Sequence, residues 1–575
     1  MKKKIFPLLA CSIFFLFSCS CSNSGTSTSG TPSGIITTSY PYIPEPENVD
    51  PFSLIGASGA TYSQEGNIFT ITSGGLFTAN GLLEEGQIIV AANSNEKVEL
   101  DLANATITNS NDSPIKAISA KSFEIKAKDG SVNLIKDRRP VKTYDSTAVG
   151  EGAINSKIDL SFTGKGTLLV KGSYNSGVHS TNDVDLKNLT LQVEGVNNAI
   201  KGKDSITMDS GIIYAYSSLG NGLKTENSDI SSANNQRGII AVNGGTLFIN
   251  CLGDALSAAY NIEINQKDQL VPTTIDIYTG KNSNYSSSYV EGSSAKGFKA
   301  ANAINIYDGT MTLSSSDDAF HADYGATLQN GATGLGNINI SGGNVNVASG
   351  DDAIHADNTI SISGGKIEIT DSNEGLEANH IAISGGQTYI YGSDDGINAS
   401  YKINQLPSIE ISGGFIDIAV NGQDVDGIDS NGTFAQSGGV VISRGSPFDN
   451  SGMSTALDVD GTATISGGTF IAFNGTETSP TKGEGVLFAG TSNPGSHQQP
   501  NTPHLKQAGD SNRSFESGSY LLNGDNLSIS FVNTYQYSSF MVYSNSLVSG
   551  SSYALSKDGS AILSWNQSSS DIIIS

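Results

Sequence analysis

The chain has 575 residues, 31 Lys and Arg against 56 Asp and Glu, a net charge of −25 at pH 7, 66 Gly and only 15% charged residues. So acidic a body excludes nucleic acid and anionic membrane faces as its partners. So much Gly with so few charged helix formers argues against helices and for strands and turns.

In chain order, Lys2, Lys3 and Lys4 precede an apolar run from Ile5 to Phe17, and Leu16-Phe17-Ser18-Cys19 has the form of a bacterial lipobox. This predicts a lipoprotein signal over 1–19 with Cys19 lipidated, since the apolar run is shorter than the about 20 residues of a membrane-spanning helix. Residues 20–48, rich in Ser, Thr, Gly and Pro, read as a flexible tether. The expectation is an exported lipoprotein held to a membrane by its lipid alone, at the cell surface or facing the periplasm. Cys11 leaves with the signal, Cys19 and Cys21 sit at the anchor, and Cys251 reads as a small buried apolar residue, so no disulfides are expected. Residues 49–112 carry strand-like runs such as Val98-Glu99-Leu100-Asp101-Leu102 without the full repeat described next, and read as an N-terminal β cap with the first turns.

From 113 to 490 one phrase recurs: an acidic or polar residue, then Ala or Gly, a large apolar residue, a polar residue and a small one. Asp352-Ala353-Ile354-His355-Ala356, Glu374-Gly375-Leu376-Glu377-Ala378 and Asp395-Gly396-Ile397-Asn398-Ala399 are three copies. Taking the Ala or Gly as a marker, copies fall at Ala153, Gly177, Ala199, Gly222, Ala255, Gly297, Ala319, Ala353, Gly375, Gly396, Gly427, Ala456 and Gly485, with shortest spacings of 21 to 24 residues. Between markers run Ile-Ser-Gly-Gly phrases flanked by alternating apolar residues, as in Ile360-Ser361-Ile362-Ser363-Gly364-Gly365-Lys366-Ile367-Glu368-Ile369, which read as strand, tight corner, strand. Length alone would allow three or four domains, but a repeat of this period makes one stacked all-β body, a parallel β-helix of about 22 residues per turn. Residues 491–514 read as a loop and 515–575 as a C-terminal β cap with Trp565 in its core.

Stacking on the marker turns distant residues into neighbours about 4.8 Å apart. Between 300 and 480 there are 22 Asp and Glu against Lys366, Lys402 and Arg444. Asp318, Asp352, Glu374, Asp395 and Asp426 share one column, with Asp317, Asp351 and Asp394 one place before it, Glu377 and Asp429 three after it, and Asp323 and Asp357 further on. Carboxylates so stacked repel by roughly 3–4 kcal/mol per pair at an effective dielectric near 20, so something must compensate. These twelve acids are candidate ligands for a hard cation, and Ca2+ is the expected cofactor. The competing explanation is that Asp at such corners simply accepts turn N–H groups. His321 and His355 are also in register, which leaves a zinc site as a minor alternative, but amid oxygen ligands they read as residues that cap a ladder or contact solvent.

The position two after the marker points outward by strand parity and runs from Lys201, Lys224 and Lys299 through His321 and His355 to acids at the C-terminal end. Parity after the Gly-Gly corners turns Tyr389, Tyr391 and Phe415 outward, an expected flat aromatic platform for sugar rings. The three lysines are expected to offer direct countercharge to an anionic ligand.

The ordered series Ser294-Ala295-Lys296-Gly297-Phe298-Lys299-Ala300, Ser316-Asp317-Asp318-Ala319-Phe320-His321-Ala322, Gly350-Asp351-Asp352-Ala353-Ile354-His355-Ala356-Asp357, Asn373-Glu374-Gly375-Leu376-Glu377-Ala378, Asp394-Asp395-Gly396-Ile397-Asn398-Ala399 and Asp426-Gly427-Ile428-Asp429-Ser430-Asn431 resembles bacterial cell-surface carbohydrate-binding β-helix proteins associated with cellulose and pectin binding. The resemblance covers roughly residues 50–560 and implies a right-handed parallel β-helix, bound calcium and non-catalytic binding of plant-type polysaccharide, including polygalacturonate. A monomer is expected. Calcium-dependent polysaccharide lyases share this fold, so a lyase is the alternative. In the acidic zone, however, only Lys366 faces outward, with Asn344 and Gln387 beside it and no cationic partner to make it a base. A surface adhesin or scaffold is the third reading.

Overall fold

Alternating Ile and polar residues give each repeat short strands with one apolar edge. In the computed structural model these strands stack repeat upon repeat rather than folding back on themselves. The structure describes residues 42–143, 149–265, 271–329, 331–449, 452–493, 495 and 514–574. The lipobox with Cys19, most of the tether and nearly all of the 491–514 loop lie outside them. Among the described residues there is no α-helix, only the 3-10 segments Gly280–Asn282 and Ser286–Ser288. One sheet of 47 strands, mostly paired in parallel, runs through these residues, a topology compatible with a β-helix or solenoid.

Most repeats contribute three strands, where the sequence pattern named two around the Gly-Gly corner; in Ile354–Ile362 and Leu376–Ile383 the first two run together. The marker makes the third: Phe298–Ala300, Phe320–Ala322, Ile354–Ile362, Leu376–Ile383, Ile397–Ala399 and Ile428–Ser430 pair in succession, in register. The apolar residue after each marker fills a continuous column in which Phe298, Phe320, Ile354, Leu376, Ile397 and Ile428 are all 0% exposed, and such burial is worth about 1.5–3 kcal/mol per side chain. The marker is small because the wall is close: a Cβ on Gly375 would stand 2.2 Å from Ile390 Cγ2 and 2.4 Å from the Gly396 carbonyl. Gly485 does not join this column. The strand after it, Leu487–Gly490, pairs antiparallel with Phe540–Ser544 and in parallel with Ile572–Ile573, so the marker series ends at Ala456. Parallel pairing also begins before 113, since Gly75–Leu83 already pairs in parallel with Lys97–Asn109.

The Gly-Gly corners use glycine in two ways. Gly365 adopts φ +82°, and a Cβ there would lie 2.8 Å from the Gly342 carbonyl carbon of the preceding repeat. Gly365→Ala is expected to destabilise by at least about 1–2 kcal/mol from the left-handed conformation alone. The exposed Ser363→Ala should change stability by less than about 0.5 kcal/mol. Equal denaturant midpoints for the two variants would overturn this account of the corner.

After the last parallel pairs, Gly518–Gly524, Leu527–Asn533, Ser552–Lys557 and Ser560–Asn566 form a separate four-stranded antiparallel sheet. Its apolar face, with Tyr520, Phe531, Tyr553 and Trp565, packs with Ile442, Ile471 and Phe473 from the parallel strands in a second core cluster. Cys251 is fully buried in the main core.

Candidate functional site

The parallel register assembles one row, half-exposed except at the buried Glu377, from residues two after each marker: Lys201, Lys224, Ser257, Lys299, His321, His355, Glu377, Asn398, Asp429 and Asp458 align pair by pair. Lys116, Asn155 and His179 extend it N-terminally. Lys201 and Lys224 are not the free countercharge that the sequence suggests, because both reach Glu226, at 2.7 and 3.9 Å. Lys299 makes no ion pair or side-chain hydrogen bond among the described residues.

The acidic column beside this row is built on backbone amides. Asp318 Oδ1 accepts the Asp352 N–H at 3.1 Å, Asp352 Oδ1 the Glu374 N–H at 3.2 Å, and Asp395 Oδ1 the Asp426 N–H at 2.7 Å. Asp426 accepts both the N–H and the hydroxyl of Thr455. Each acid therefore closes the corner of the next repeat, the purely structural use of Asp weighed above. Glu374, one methylene longer, leaves the pattern and accepts from Asn398 Nδ2 at 2.8 Å.

What compensates the charge differs between the two halves of the column. From 317 to 377 the protein supplies its own cations, except at Glu374, where burial and then the charges of Asp352 and Glu377 push the carboxyl up to about 9. Lys296 Nζ lies 2.8 Å from Asp317 and 2.7 Å from Asp318. His321 places Nδ1 2.6 Å from Asp318 and Nε2 2.9 Å from Asp323. His355 Nδ1 is 2.8 Å from Asp352 and 3.0 Å from Glu377, its Nε2 is 3.4 Å from Asp357, and Lys402 reaches the other oxygen of Glu377. Burial works to raise the Asp318 carboxyl, but the His321 hydrogen bond and the Lys296 charge hold it down to about 2. Burial also opposes charge on His321 and His355, yet the carboxylates at both ring nitrogens push both upward, His355 to about 12. The two histidines are thus not solvent residues: their rings stack at 4.7 Å between carboxylates.

Among the described residues no lysine, arginine or histidine makes an ion pair with Asp395, Asp426, Asp429, Asp458 or Glu477. Burial, then the charges of Asp429, Asp394 and Asp424, pushes Asp395 up to about 8 against the pull of the Asp426 N–H. Burial and then Asp395 push Asp426 up to about 9, and burial followed by Asp458 and Asp460 pushes Asp429 up to about 7. Burial raises Asp458 and Glu477 as well. Asn398 Oδ1, between Glu377 and Asp429 in the row, is buried with no hydrogen-bond donor. An orphaned amide oxygen next to uncompensated carboxylates is a donor set that fits a hard cation. Three ligand atoms already within 4.8 Å of one another occur, among the described residues, only between Asp317 and Glu377, where side-chain cations stand.

The aromatic residues are less flat than expected. Tyr389 and Phe415 are half-buried, tilted by 48° at 5.8 Å, and Lys366 Nζ sits 5.5 Å from the Tyr389 ring centre while pairing with Glu368 at 2.7 Å. The Tyr391 hydroxyl meets Tyr535 Oη at 3.0 Å and the Asn421 amide, and Phe415 packs against the C-terminal cluster. Only Tyr389 keeps the geometry of a sugar contact. A second aromatic cluster on the same strand face, Tyr214, Tyr216, Phe248 and Tyr278, with rings 5.7–6.3 Å apart, was not singled out from the sequence. The parity rule that selected Tyr389 finds it too, but Tyr216 and Phe248 are each only 8% exposed.

Residues 65–337 and 326–478 match the family described as carbohydrate-binding domain-containing protein. A carbohydrate-binding domain-containing protein of Acetivibrio thermocellus is 30% identical over 125 residues, 22% of this chain and 44% of the relative, so the match spans less than half of that protein. The solved polysaccharide lyase-like protein from C. thermocellum, a gadolinium derivative, is 26% identical, with 38% of this chain and 84% of that chain covered and a TM-score of 0.34. The matched stretch contains every turn of the row from Lys201 to Asp458, and the chain belongs to the carbohydrate-binding domain-containing protein family.

Proposed function

We propose that this protein is a lipid-anchored, non-catalytic carbohydrate-binding protein that engages plant-type, acidic polysaccharide of the polygalacturonate kind with calcium, on a right-handed parallel β-helix closed by an N-terminal and a C-terminal β cap. The observation that carries the reading is the outward row in which Lys299, a cation with no ion pair among the described residues, and a set of uncompensated acids lie along one axis of a carbohydrate-binding family member. Lys299 meets a uronate carboxylate directly. Tyr389, with Lys366 beside it, supplies an apolar ring face. Calcium belongs with Asp395, Asn398 and Asp429, whose oxygens lack cations, rather than with Asp317, Asp318, Asp323, Asp352, Asp357 and Glu377, which already carry Lys296, His321, His355 and Lys402. Bound there, calcium supplies positive charge through which a sugar carboxylate can be held. Lys366, paired with Glu368 and exposed, is a poor base for a lyase, which supports the non-catalytic reading.

A glycan array with and without calcium tests this. Polygalacturonate should be retained in calcium and largely released in chelator, with no rise in the ultraviolet absorbance that marks unsaturated uronate. Lys299→Ala should weaken retention about tenfold, the worth of one charge-assisted hydrogen bond of about 1.5 kcal/mol, whereas Lys201→Ala, already paired, should change little. Retention unaffected by Lys299→Ala, or an absorbance rise that depends on calcium, would overturn the reading.

A further inference from the structure

We infer that the stacked pair His321 and His355, with Asp318, Asp352 and Glu377, is a binding site for a first-row divalent transition-metal cation of the zinc type, separate from the sugar-linked calcium. Three consecutive repeats bring the five side chains together, and two overlapping sets, Asp318–His321–His355 and Asp352–His355–Glu377, each hold their ligand atoms within 4.8 Å. His355 belongs to both sets. Two imidazole nitrogens among three carboxylates form a mixed set that suits zinc and its neighbours, whereas calcium takes oxygen alone.

A second observation points the same way. Each imidazole turns Nδ1 into the cluster and sets its other nitrogen, Nε2, against an outer carboxylate, Asp323 at 2.9 Å and Asp357 at 3.4 Å. That is how metal-bound histidines are commonly oriented, by a carboxylate on the far nitrogen. Asp352, Glu377 and Asp318 are nearly fully buried, with side chains 8%, 8% and 4% exposed, so the cluster is shielded from water. Lys402 takes the oxygen of Glu377 that His355 does not use, which leaves the inner oxygen directed at the cluster. The inner contacts, His321–Asp318 at 2.6 Å and His355 to Asp352 and Glu377 at 2.8 and 3.0 Å, are hydrogen-bond lengths. Ligand atoms around zinc, at about 2.0–2.1 Å from the metal, stand roughly 3.3 Å apart, so admitting the ion opens each contact by about half an ångström.

The test is a calorimetric titration of the full chain, stripped with chelator and dialysed, with Zn2+, and a visible spectrum with Co2+. One Zn2+ per chain should bind at micromolar concentration or below, undisturbed by millimolar Ca2+, and Co2+ should give d–d bands of mixed nitrogen and oxygen ligation. His355→Gln should weaken zinc about 100-fold and abolish the cobalt bands, Asp323→Asn should cost about tenfold through ring orientation, and Asp395→Asn should leave zinc unchanged. His321→Gln, expected to weaken zinc at least about tenfold, gives the same reading if His355→Gln does not fold. Absence of zinc binding, equal affinity in the histidine variants, or displacement of zinc by equimolar calcium would each overturn the site. None of these readouts involves sugar, so the site stands or falls independently of carbohydrate binding.

Discussion

Replacing Asp417 by Ala is expected to destabilise the protein by about 3–5 kcal/mol, among the largest single effects available in it. Arg444 is 1% exposed and is held by Asp417, by the Ile418 carbonyl at 2.9 Å, by Asn533 Oδ1 at 2.7 Å and by the Val532 carbonyl at 3.1 Å. Its guanidinium also lies 5.6–5.8 Å from the rings of Phe531 and Phe473. Asp417 belongs to the parallel strands and Asn533 to the antiparallel C-terminal sheet, so one buried cation joins the two. Removing the carboxylate leaves that charge in the interior with only neutral acceptors. Arg444→Met should cost less than Asp417→Ala, because it removes the charge itself and leaves Asp417, 17% exposed, partly hydrated. Urea denaturation of both single variants and the double variant gives the coupling directly. If Asp417→Ala costs no more than about 1 kcal/mol, Arg444 is not an ion-paired tie between the two sheets.

Most of the parallel architecture was legible because the repeat phrase does two jobs at once. The small marker allows close approach of successive repeats, as at Gly375, and the residue after it must be apolar, as at Ile354 and Leu376, so pattern and register carry the same information. Gly485 misled because its phrase sits where the parallel pairs give way to Phe540–Ser544, and a long-range antiparallel partner leaves no mark on a local motif. The aromatic face was read only in part for a similar reason. Tyr391 and Phe415 have the parity of exposed residues, but Tyr535 and the C-terminal cluster, more than a hundred residues away, cover them. Charge compensation was the least visible. Lys402 lies 25 residues from Glu377 and in a loop, and only the fold shows that its ammonium reaches that carboxylate. Lys296, in contrast, occupies the column of Asp318 one repeat earlier, so the register alone could have paired them.

The uncompensated half of the acidic column makes the stability of chelated protein fall as pH rises, the reverse of a protein stabilised by paired carboxylates. Asp395, Asp426 and Asp429 have folded-state values pushed up to about 8, 9 and 7, above the ordinary value of 3.8 that applies to the unfolded chain. Below about pH 4 both states are protonated, and nothing is gained or lost. Between about pH 4 and pH 9 the unfolded chain has released these protons and the folded protein still holds them, so each step upward in pH favours unfolding, and above about pH 9 the penalty is complete. With three such groups the change is on the order of several kcal/mol. Thermal midpoints in chelator should therefore drop by several degrees from pH 5 to pH 9. Calcium should flatten that slope, because a divalent ion stabilises the ionised carboxylates and favours the folded state by mass action. Asp395→Asn with Asp429→Asn should reduce it without calcium, leaving the share of Asp426, since the amide oxygen at 395 still accepts the Asp426 N–H while the charge is gone, and the same variant should lose the lift that calcium gives. A pH slope in chelator that is flat from the start, or one that is undiminished in the double Asn variant, would show that these acids are not the charge that the cation answers.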